Sequence, residues 1–116
     1  MSTLRVNTLQ TQAGVEVYTA KAWVNFNGTG TVAIRASGNV SSITDNGTGN
    51  YTVNFTVAMQ DANYSAIALS GYVSAGDSGH VSPTCRSLAT SSFVIYNYND
   101  GDALVDSDYV NVAIFR

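Results

Sequence analysis

The side chains with the clearest chemical potential lie in the second half of the chain. The stretch "GDSGHVSPTC" contains Ser78 and His80, the single histidine, and its letters "GDSG" match the motif around a serine-protease nucleophile. A protease of that kind needs a histidine and an aspartate upstream of the serine, held by two barrels. Here the histidine follows the serine in a short chain, so we expect no catalysis at Ser78 or His80.

A second stretch, "NYNDGDALVDSDY", carries Asp100, Asp102, Asp106 and Asp108. Clustered carboxylates can bind Ca²⁺, but the spacing departs from the EF-hand loop at its glycine and at its final glutamate. Two carboxylates could also serve glycoside hydrolysis, which needs a sugar-sized cleft that no part of the sequence indicates. Asp and Gly together are more commonly found in turns, where the carboxylates cap backbone amides. We therefore predict no metal, no cofactor and no enzymatic activity, with calcium at this loop as the open alternative.

Tyrosines are concentrated in the same half of the chain, at Tyr72, Tyr96, Tyr98 and Tyr109. A tyrosine offers a flat apolar face and a hydroxyl, which suits both sugar stacking and protein contacts, although most tyrosines are partly buried. The predicted receptor- or glycan-binding residues are Tyr96, Tyr98, Asp100, Asp102, Asp77 and His80.

The overall charge limits the possible partners. Net charge is −3, and the five lysines and arginines are scattered, so no basic stripe exists to neutralise the phosphates of a nucleic acid. The single cysteine, Cys85, excludes an internal disulfide, and we expect a small buried, inert side chain there. The N-terminus lacks the apolar core of a signal peptide, and no stretch approaches the about 18 apolar residues of a membrane span. We expect synthesis in the cytoplasm without a leader, and no membrane insertion.

The elements that must position these residues are strands. Apolar and polar residues alternate at period two, most clearly in Tyr51 to Val57, and Gly/Asn/Asp/Ser turns recur between such runs. This pattern predicts an all-β fold, either an antiparallel, jelly-roll-like β-sandwich or a barrel. Residues 64–73 and 93–98 are more continuously apolar, which predicts strands that are central or are covered on both faces. Pro83 is predicted on an edge, and Asn46-Gly47 is predicted as a hairpin turn with both residues at positive φ.

The first nineteen residues follow a weaker pattern that breaks at Gly14. We predict two parts, an extended attachment or stalk segment over 1–19 and a β-sandwich domain over 20–116. Leu4, Val6 and Leu9 are too few to anchor a strand alone, so we expect them, with Trp23, at a subunit interface.

Several linked pieces of the chain resemble a recurring sequence of phage fibres. "KAWVNF" is followed by "NG", "IRASGNVSSITDNGTG", "YTVNF" and "DANYS" in that order, and the leader "LRVNTLQTQAG" precedes them; together they cover about half of the chain. This arrangement resembles tail-fibre and related virion proteins of tailed bacteriophages, notably those of marine bacteria. The resemblance implies a β-rich, homotrimeric, virion-attached module whose outer loops can meet the host surface.

The resulting hypothesis is a non-enzymatic structural protein of a tailed-phage virion, in a tail fibre or fibre tip. It would contact other virion proteins through its N-terminal segment and a host glycan or protein through loops of its C-terminal half. The alternatives are a head-decoration or appendage protein of the virion and a stand-alone carbohydrate-binding module.

Overall fold

The computed structural model describes residues 8–71 and 80–116, which form eight β-strands. Within these ranges no helix is long and apolar enough to cross a membrane. The strands are β1 (Ala22–Asn27), β2 (Ala33–Gly38), β3 (Val40–Gly47), β4 (Asn50–Phe55), β5 (Ser65–Gly71), β6 (Val81–Arg86), β7 (Ser92–Asn99) and β8 (Tyr109–Phe115).

Two antiparallel four-stranded sheets pack face to face. One has the strand order β2-β1-β8-β5 and the other β3-β4-β7-β6. The predicted all-β fold is confirmed, and of its two forms the structure adopts the β-sandwich.

The core lies between the sheets and is filled by alternate residues of the inner strands. In β4 the predicted face is confirmed, because Tyr51 and Val53 are completely buried and Phe55 is nearly so. The rings of Phe26 and Tyr51 meet edge to face with centroids 5.2 Å apart, and Phe55 makes a similar contact with Tyr64. Such aromatic pairs add about 0.5–1.5 kcal/mol each beyond the area that they bury.

The two continuously apolar runs take different positions. β7 is central in its sheet, as predicted, whereas β5 lies at an edge. For β5 the central position is therefore excluded, and coverage on both faces stays a prediction. Ile67 and Leu69 of β5 are 54% and 70% exposed, which shows that this run has an apolar outer face as well as an inner one. β6 is also an edge strand, and Pro83 lies in it as predicted.

The hairpin between β3 and β4 is confirmed, but its turn is shifted. Gly47 pairs with Asn50, so the turn residues are Thr48 and Gly49 rather than Asn46 and Gly47. Gly47 and Gly49 have positive φ angles, of 126° and 62°. Asn46 stays in β3 at a register irregularity, where its side chain donates a hydrogen bond of 2.7 Å to the Thr52 hydroxyl.

Ahead of β1, the chain folds back on itself as a small turn that we call the N-terminal hairpin, residues 9–17. Val17 N donates to Leu9 O at 2.6 Å, Thr11 N donates to Val15 O at 2.7 Å, and Gly14 turns the chain at φ 84°. Its side chains are exposed, and it belongs to neither sheet. The predicted division at residue 19 stays a prediction.

Candidate functional site

The predicted tyrosines lie on the outer face of the β3-β4-β7-β6 sheet. β7 alternates, so that Phe93, Ile95 and Asn97 point into the core while Tyr96 and Tyr98 point outwards. In the register with β6, Thr84 lies opposite Tyr96 and Ser82 opposite Tyr98. Because β6 is the edge strand, this part of the surface lies at the rim of the sandwich.

Arg86 joins the two tyrosines to form a single surface, which we call the tyrosine platform: Tyr96, Tyr98 and Arg86. The two ring centroids are 6.2 Å apart. The Arg86 guanidinium carbon lies 4.5 Å from the Tyr96 ring centre and 5.7 Å from that of Tyr98, and Arg86 Nη2 donates to the Tyr98 hydroxyl at 3.2 Å. Cation–π contacts of this kind are worth about 0.5–1 kcal/mol at exposed sites, which is enough to bias the side chain towards this position.

The sequence did not single out Arg86, because its role depends on the pairing of β6 with β7. The usable signal was the alternation of Val81–Arg86, which places Arg86 on the same side as Ser82 and Thr84. The register then brings this side next to the outward tyrosines.

His80 and Asp100 lie at the end of the same two strands. His80 Nδ1 is 3.6 Å from Asp100 Oδ2, and the two side chains are 90% and 66% exposed. Such an exposed pair contributes little to stability, and it is ionic only when the histidine is protonated. Four of the predicted residues, Tyr96, Tyr98, Asp100 and His80, are thus carried by adjacent ends of β6 and β7.

The remaining predicted residues of this group are not part of that arrangement. Asp102 lies in the turn after β7 at φ 60° and is exposed, with its own N–H donated to Asn99 O at 3.1 Å. Asp77 lies outside the described residues.

Two of the acidic residues of the 100–108 stretch have structural roles instead. Asp106 Oδ1 accepts a hydrogen bond from Gly49 N at 2.8 Å and lies 2.9 Å from the Tyr51 hydroxyl. Asp108 Oδ1 accepts from the Thr29 hydroxyl at 3.2 Å, and its backbone oxygen accepts from Arg35 Nη2 at 2.6 Å. Asp106 therefore caps a backbone amide, as acidic turn residues commonly do.

Among residues 8–71 and 80–116, no three His, Cys, Asp or Glu side chains converge as a metal site would require. Cys85 is half-buried against the core, and burial raises the pKa of its thiol. A thiol with a raised pKa is a poor nucleophile at neutral pH.

The side chains of the tyrosine platform are suited to binding a ligand. Arg86 covers part of the tyrosine rings and presents a plane of N–H donors to solvent, next to the Tyr98 hydroxyl and the exposed Thr84 and Ser82. A guanidinium with this arrangement binds carboxylates and hydroxyls of a ligand by directed hydrogen bonds. The ring surface that Arg86 leaves open is apolar and lies beside these polar groups, a combination that suits the stacking and hydrogen bonding of a sugar.

The predicted interface residues are exposed where they are described. Trp23 projects from the outer face of the other sheet and is 43% exposed, and Leu9 of the N-terminal hairpin is 42% exposed. The indole lies across Gly38, where an added Cβ would be 2.4 Å from Trp23 Nε1. Leu4 and Val6 lie outside the described residues, and the interface role of all four stays a prediction.

Comparison with known proteins gives one informative result. No protein-family model matches the chain, and no curated protein matches it. Among solved structures, the chain is similar to the phiAB6 tailspike, crystallised in complex with three-repeated oligosaccharides of Acinetobacter baumannii surface polysaccharide. The similarity has a TM-score of 0.59 at 12% sequence identity and covers 99% of this chain but 28% of the tailspike chain.

The chain shares its fold with part of a phage tailspike. It spans little more than a quarter of that protein's length, and at 12% identity the likeness concerns the fold alone. The comparison therefore supports the β fold, and the expected relationship to phage fibre proteins stays a prediction.

Proposed function

We propose that this chain is a non-enzymatic structural module of a tailed-phage virion, carried by a tail fibre or fibre tip, that contacts a host surface glycan through the tyrosine platform. It works as a homotrimer and contacts other virion proteins through its N-terminal segment. The fold supports this proposal because the protein that shares it is a phage tailspike in complex with oligosaccharides of a bacterial surface polysaccharide.

The observation that carries the proposal is the grouping of the half-buried, outward-facing Tyr96 and Tyr98 with the exposed Arg86 on two paired strands. Strand residues hold a binding surface more firmly than loop residues do, so little ordering entropy is lost on binding. The exposed Arg86 guanidinium presents a planar fork of N–H donors that matches a carboxylate group of a ligand. The preferred ligand is accordingly an acidic bacterial polysaccharide rather than a neutral one.

The role is binding rather than hydrolysis. The exposed His80–Asp100 pair lies at 3.6 Å, whereas most glycosidases use two carboxyl groups about 5–9.5 Å apart on either side of the scissile bond. Prolonged incubation with a bound polysaccharide should leave its chain length unchanged on size-exclusion chromatography. Shortened chains would identify an enzyme and refute this part of the proposal.

An array of bacterial surface polysaccharide fragments, acidic and neutral, tests the proposal directly. We expect the wild type to bind acidic fragments, and Tyr96→Ala/Tyr98→Ala to weaken monovalent binding about tenfold or more, since each lost aromatic contact costs about 0.5–1.5 kcal/mol. Arg86→Ala should weaken binding to acidic fragments more than to neutral ones.

The matched control is Thr44→Ala, on the outer face of the same sheet but on the far edge strand. It should leave binding unchanged. If Tyr96→Ala/Tyr98→Ala binds the fragments as strongly as the wild type does, the glycan contact lies elsewhere on the chain. If the wild type binds no fragment on the array, glycan recognition is contradicted.

A further inference from the structure

The outer face of the β2-β1-β8-β5 sheet exposes large apolar side chains to solvent. Trp23 lies opposite Ala113, which lies opposite Ile67, so a row of apolar residues crosses three strands. Leu69 and Phe115 flank this row on β5 and β8. We call this surface the apolar face; its members are Trp23, Ile67, Leu69, Tyr109, Ala113 and Phe115.

The outer face of the opposite sheet is built differently. In its β3–β4 part, Asn54 Nδ2 donates to the Ser42 and Thr44 hydroxyls at 3.2 and 3.0 Å, and Asn46 donates to Thr52. These side chains form a hydrogen-bonded polar layer suited to water. The contrast shows that the exposed apolar residues are concentrated on one side of the molecule.

The apolar face is also neutral. Two central rows of outward positions cross this sheet, and neither contains an ionisable residue. One row contains Gly38, Trp23, Ala113 and Ile67, and the other contains Ala36, Asn25, Asn111 and Leu69. Arg35 lies at the rim, where its guanidinium is 4.2 Å from the Tyr109 ring centre and bonds to Asn25 Oδ1 and Asp108 O. Two copies of a chain of net charge −3 repel one another, and they meet with least repulsion through a neutral surface.

The apolar face continues into a groove beside the N-terminal hairpin. This groove has a volume of about 780 Å³, and its walls include Leu9 and Val17 of the hairpin, the adjacent Tyr18, and Phe115 at the end of β8. Tyr18 is 77% exposed. Sheet and hairpin therefore form one connected surface with apolar residues in both parts.

The size of this surface indicates what covers it. Four strands about 4.8 Å apart and about seven residues long span roughly 450 Å², and this area includes polar outward positions such as Asn25 and Asn111. A stable protein interface buries about 800 Å² on each partner, so the sheet alone is too small and the hairpin must contribute. A second copy of the chain brings the same apolar residues in both parts, and the central rows of the sheet need no complementary charge. The charged residues Glu16, Lys21 and Arg116 lie in the groove beside the hairpin.

We infer that the apolar face together with the N-terminal hairpin is the surface through which copies of this chain associate. The inference rests on the proposed homotrimer only for the number of copies. It places the tyrosine platform on the sheet that faces away from the contact, so assembly leaves the platform open to a ligand.

Light scattering coupled to size-exclusion chromatography tests this surface on the full chain. We expect the wild type at micromolar concentration to elute at a multiple of the 12.2 kDa chain mass, about three times. Ile67→Asp/Leu69→Asp should shift it to the mass of one chain, because an apolar contact cannot accept unpaired carboxylates. The matched control, Ser42→Asp/Thr44→Asp, carries the same charges on the edge strand of the opposite sheet and should keep the wild-type mass.

A second measurement on the unmodified chain does not depend on whether the variants fold. Trp23 is the single tryptophan and lies in the apolar face, so its fluorescence reports on that surface alone. On dilution we expect the emission to shift to the red and quenching by acrylamide to rise as the mass falls. The inference is overturned if the wild type is monomeric, or if Ile67→Asp/Leu69→Asp still has the mass of the assembled wild type. It is also overturned if acrylamide quenches Trp23 as strongly in the assembled protein as in the dilute one. Glycan binding by a monomer would leave the proposed function of the tyrosine platform intact.

Discussion

The Tyr51 hydroxyl lies between two acceptors at one end of the sandwich, 2.8 Å from Gly28 O and 2.9 Å from Asp106 Oδ1. Nearby, buried Asn97 donates to Val105 O and to the Ser107 hydroxyl at 2.9 and 2.7 Å. These contacts attach the stretch after β7 to the core. The same stretch begins with the turn that carries Asp100, so this buried polar group supports the position of the candidate site.

Replacing Tyr51 by Phe removes a buried hydroxyl next to a carboxylate. We expect the free energy of unfolding to fall by about 2 kcal/mol, since hydrogen bonds to charged groups contribute about 1.5–3 kcal/mol. Urea denaturation measures this difference. Tyr18→Phe, at a side chain that is 77% exposed, should change it by less than about 0.5 kcal/mol.

The same variant should alter the dependence of stability on pH. Burial, and then the hydrogen bond to Asp106, raise the pKa of Tyr51 above its ordinary value of 10.0. The neutral hydroxyl therefore stabilises the fold fully below about pH 10, and this contribution is lost as the pH rises towards the higher folded value. Burial also raises the pKa values of Tyr64 and Cys85, which act in the same direction. Between about pH 8 and pH 11 the wild type should lose more stability than Tyr51→Phe; equal losses would contradict this assignment.

At the residue scale, the sequence predicted most of the candidate site but not its cation. Tyr96, Tyr98 and Asp100 follow from the type and position of the residues along one strand. Arg86 could not be found without the register of β6 and β7. The structural role of Asp106 was equally hidden, because it depends on contacts with Gly49 and Tyr51 more than fifty residues away.

At the element scale, alternation predicted the faces of β4 correctly, and both continuous apolar runs form strands, of which only β7 is central. β4 alternates strictly, and its faces came out as expected. In β5 both faces are apolar, which period-two analysis interprets as burial on both sides. The strand is instead at an edge, with Ile67 and Leu69 exposed. The sequence of one chain cannot distinguish a central strand from an edge strand whose outer face is covered by another chain.

The β3–β4 turn shows how contacts override local turn preference. Asn-Gly at 46–47 has the stronger local signal, yet the turn forms at Thr48 and Gly49. Gly49 N donates to Asp106, and Gly49 O accepts from Asn97 N at 2.8 Å, so these contacts hold the turn two residues further along the chain.

Gly49→Ala should therefore destabilise the fold more than Gly47→Ala. An added Cβ at Gly49 would lie 2.7 Å from Val105 N and 2.8 Å from Asn97 O, at a φ of 62°. At Gly47 the φ is 126° and there is open space within 4 Å, so only the backbone is strained. We expect about 3–4 kcal/mol for Gly49→Ala and about 1–2 kcal/mol for Gly47→Ala, measured by urea denaturation. Equal losses would show that Gly49 has no special packing constraint.

At the scale of the whole molecule, the two sheets have different surfaces. One sheet carries the apolar face, and the other carries the polar layer and the tyrosine platform. The proposed fibre module needs one surface for its own copies and another for the host, and we propose the apolar face for the first and the tyrosine platform for the second. The fold class could be predicted from alternation and turns, whereas the division could not, because it depends on which strands share a sheet.

The measurement that tests the central claim most directly is immunogold electron microscopy of phage particles that carry this gene, with antibodies raised against the purified chain. We predict gold at the tail, on fibres or their tips. Gold confined to the head would favour the decoration protein instead. If the chain is abundant in infected cells but the particles from those cells carry no label, the proposal of a virion module is contradicted.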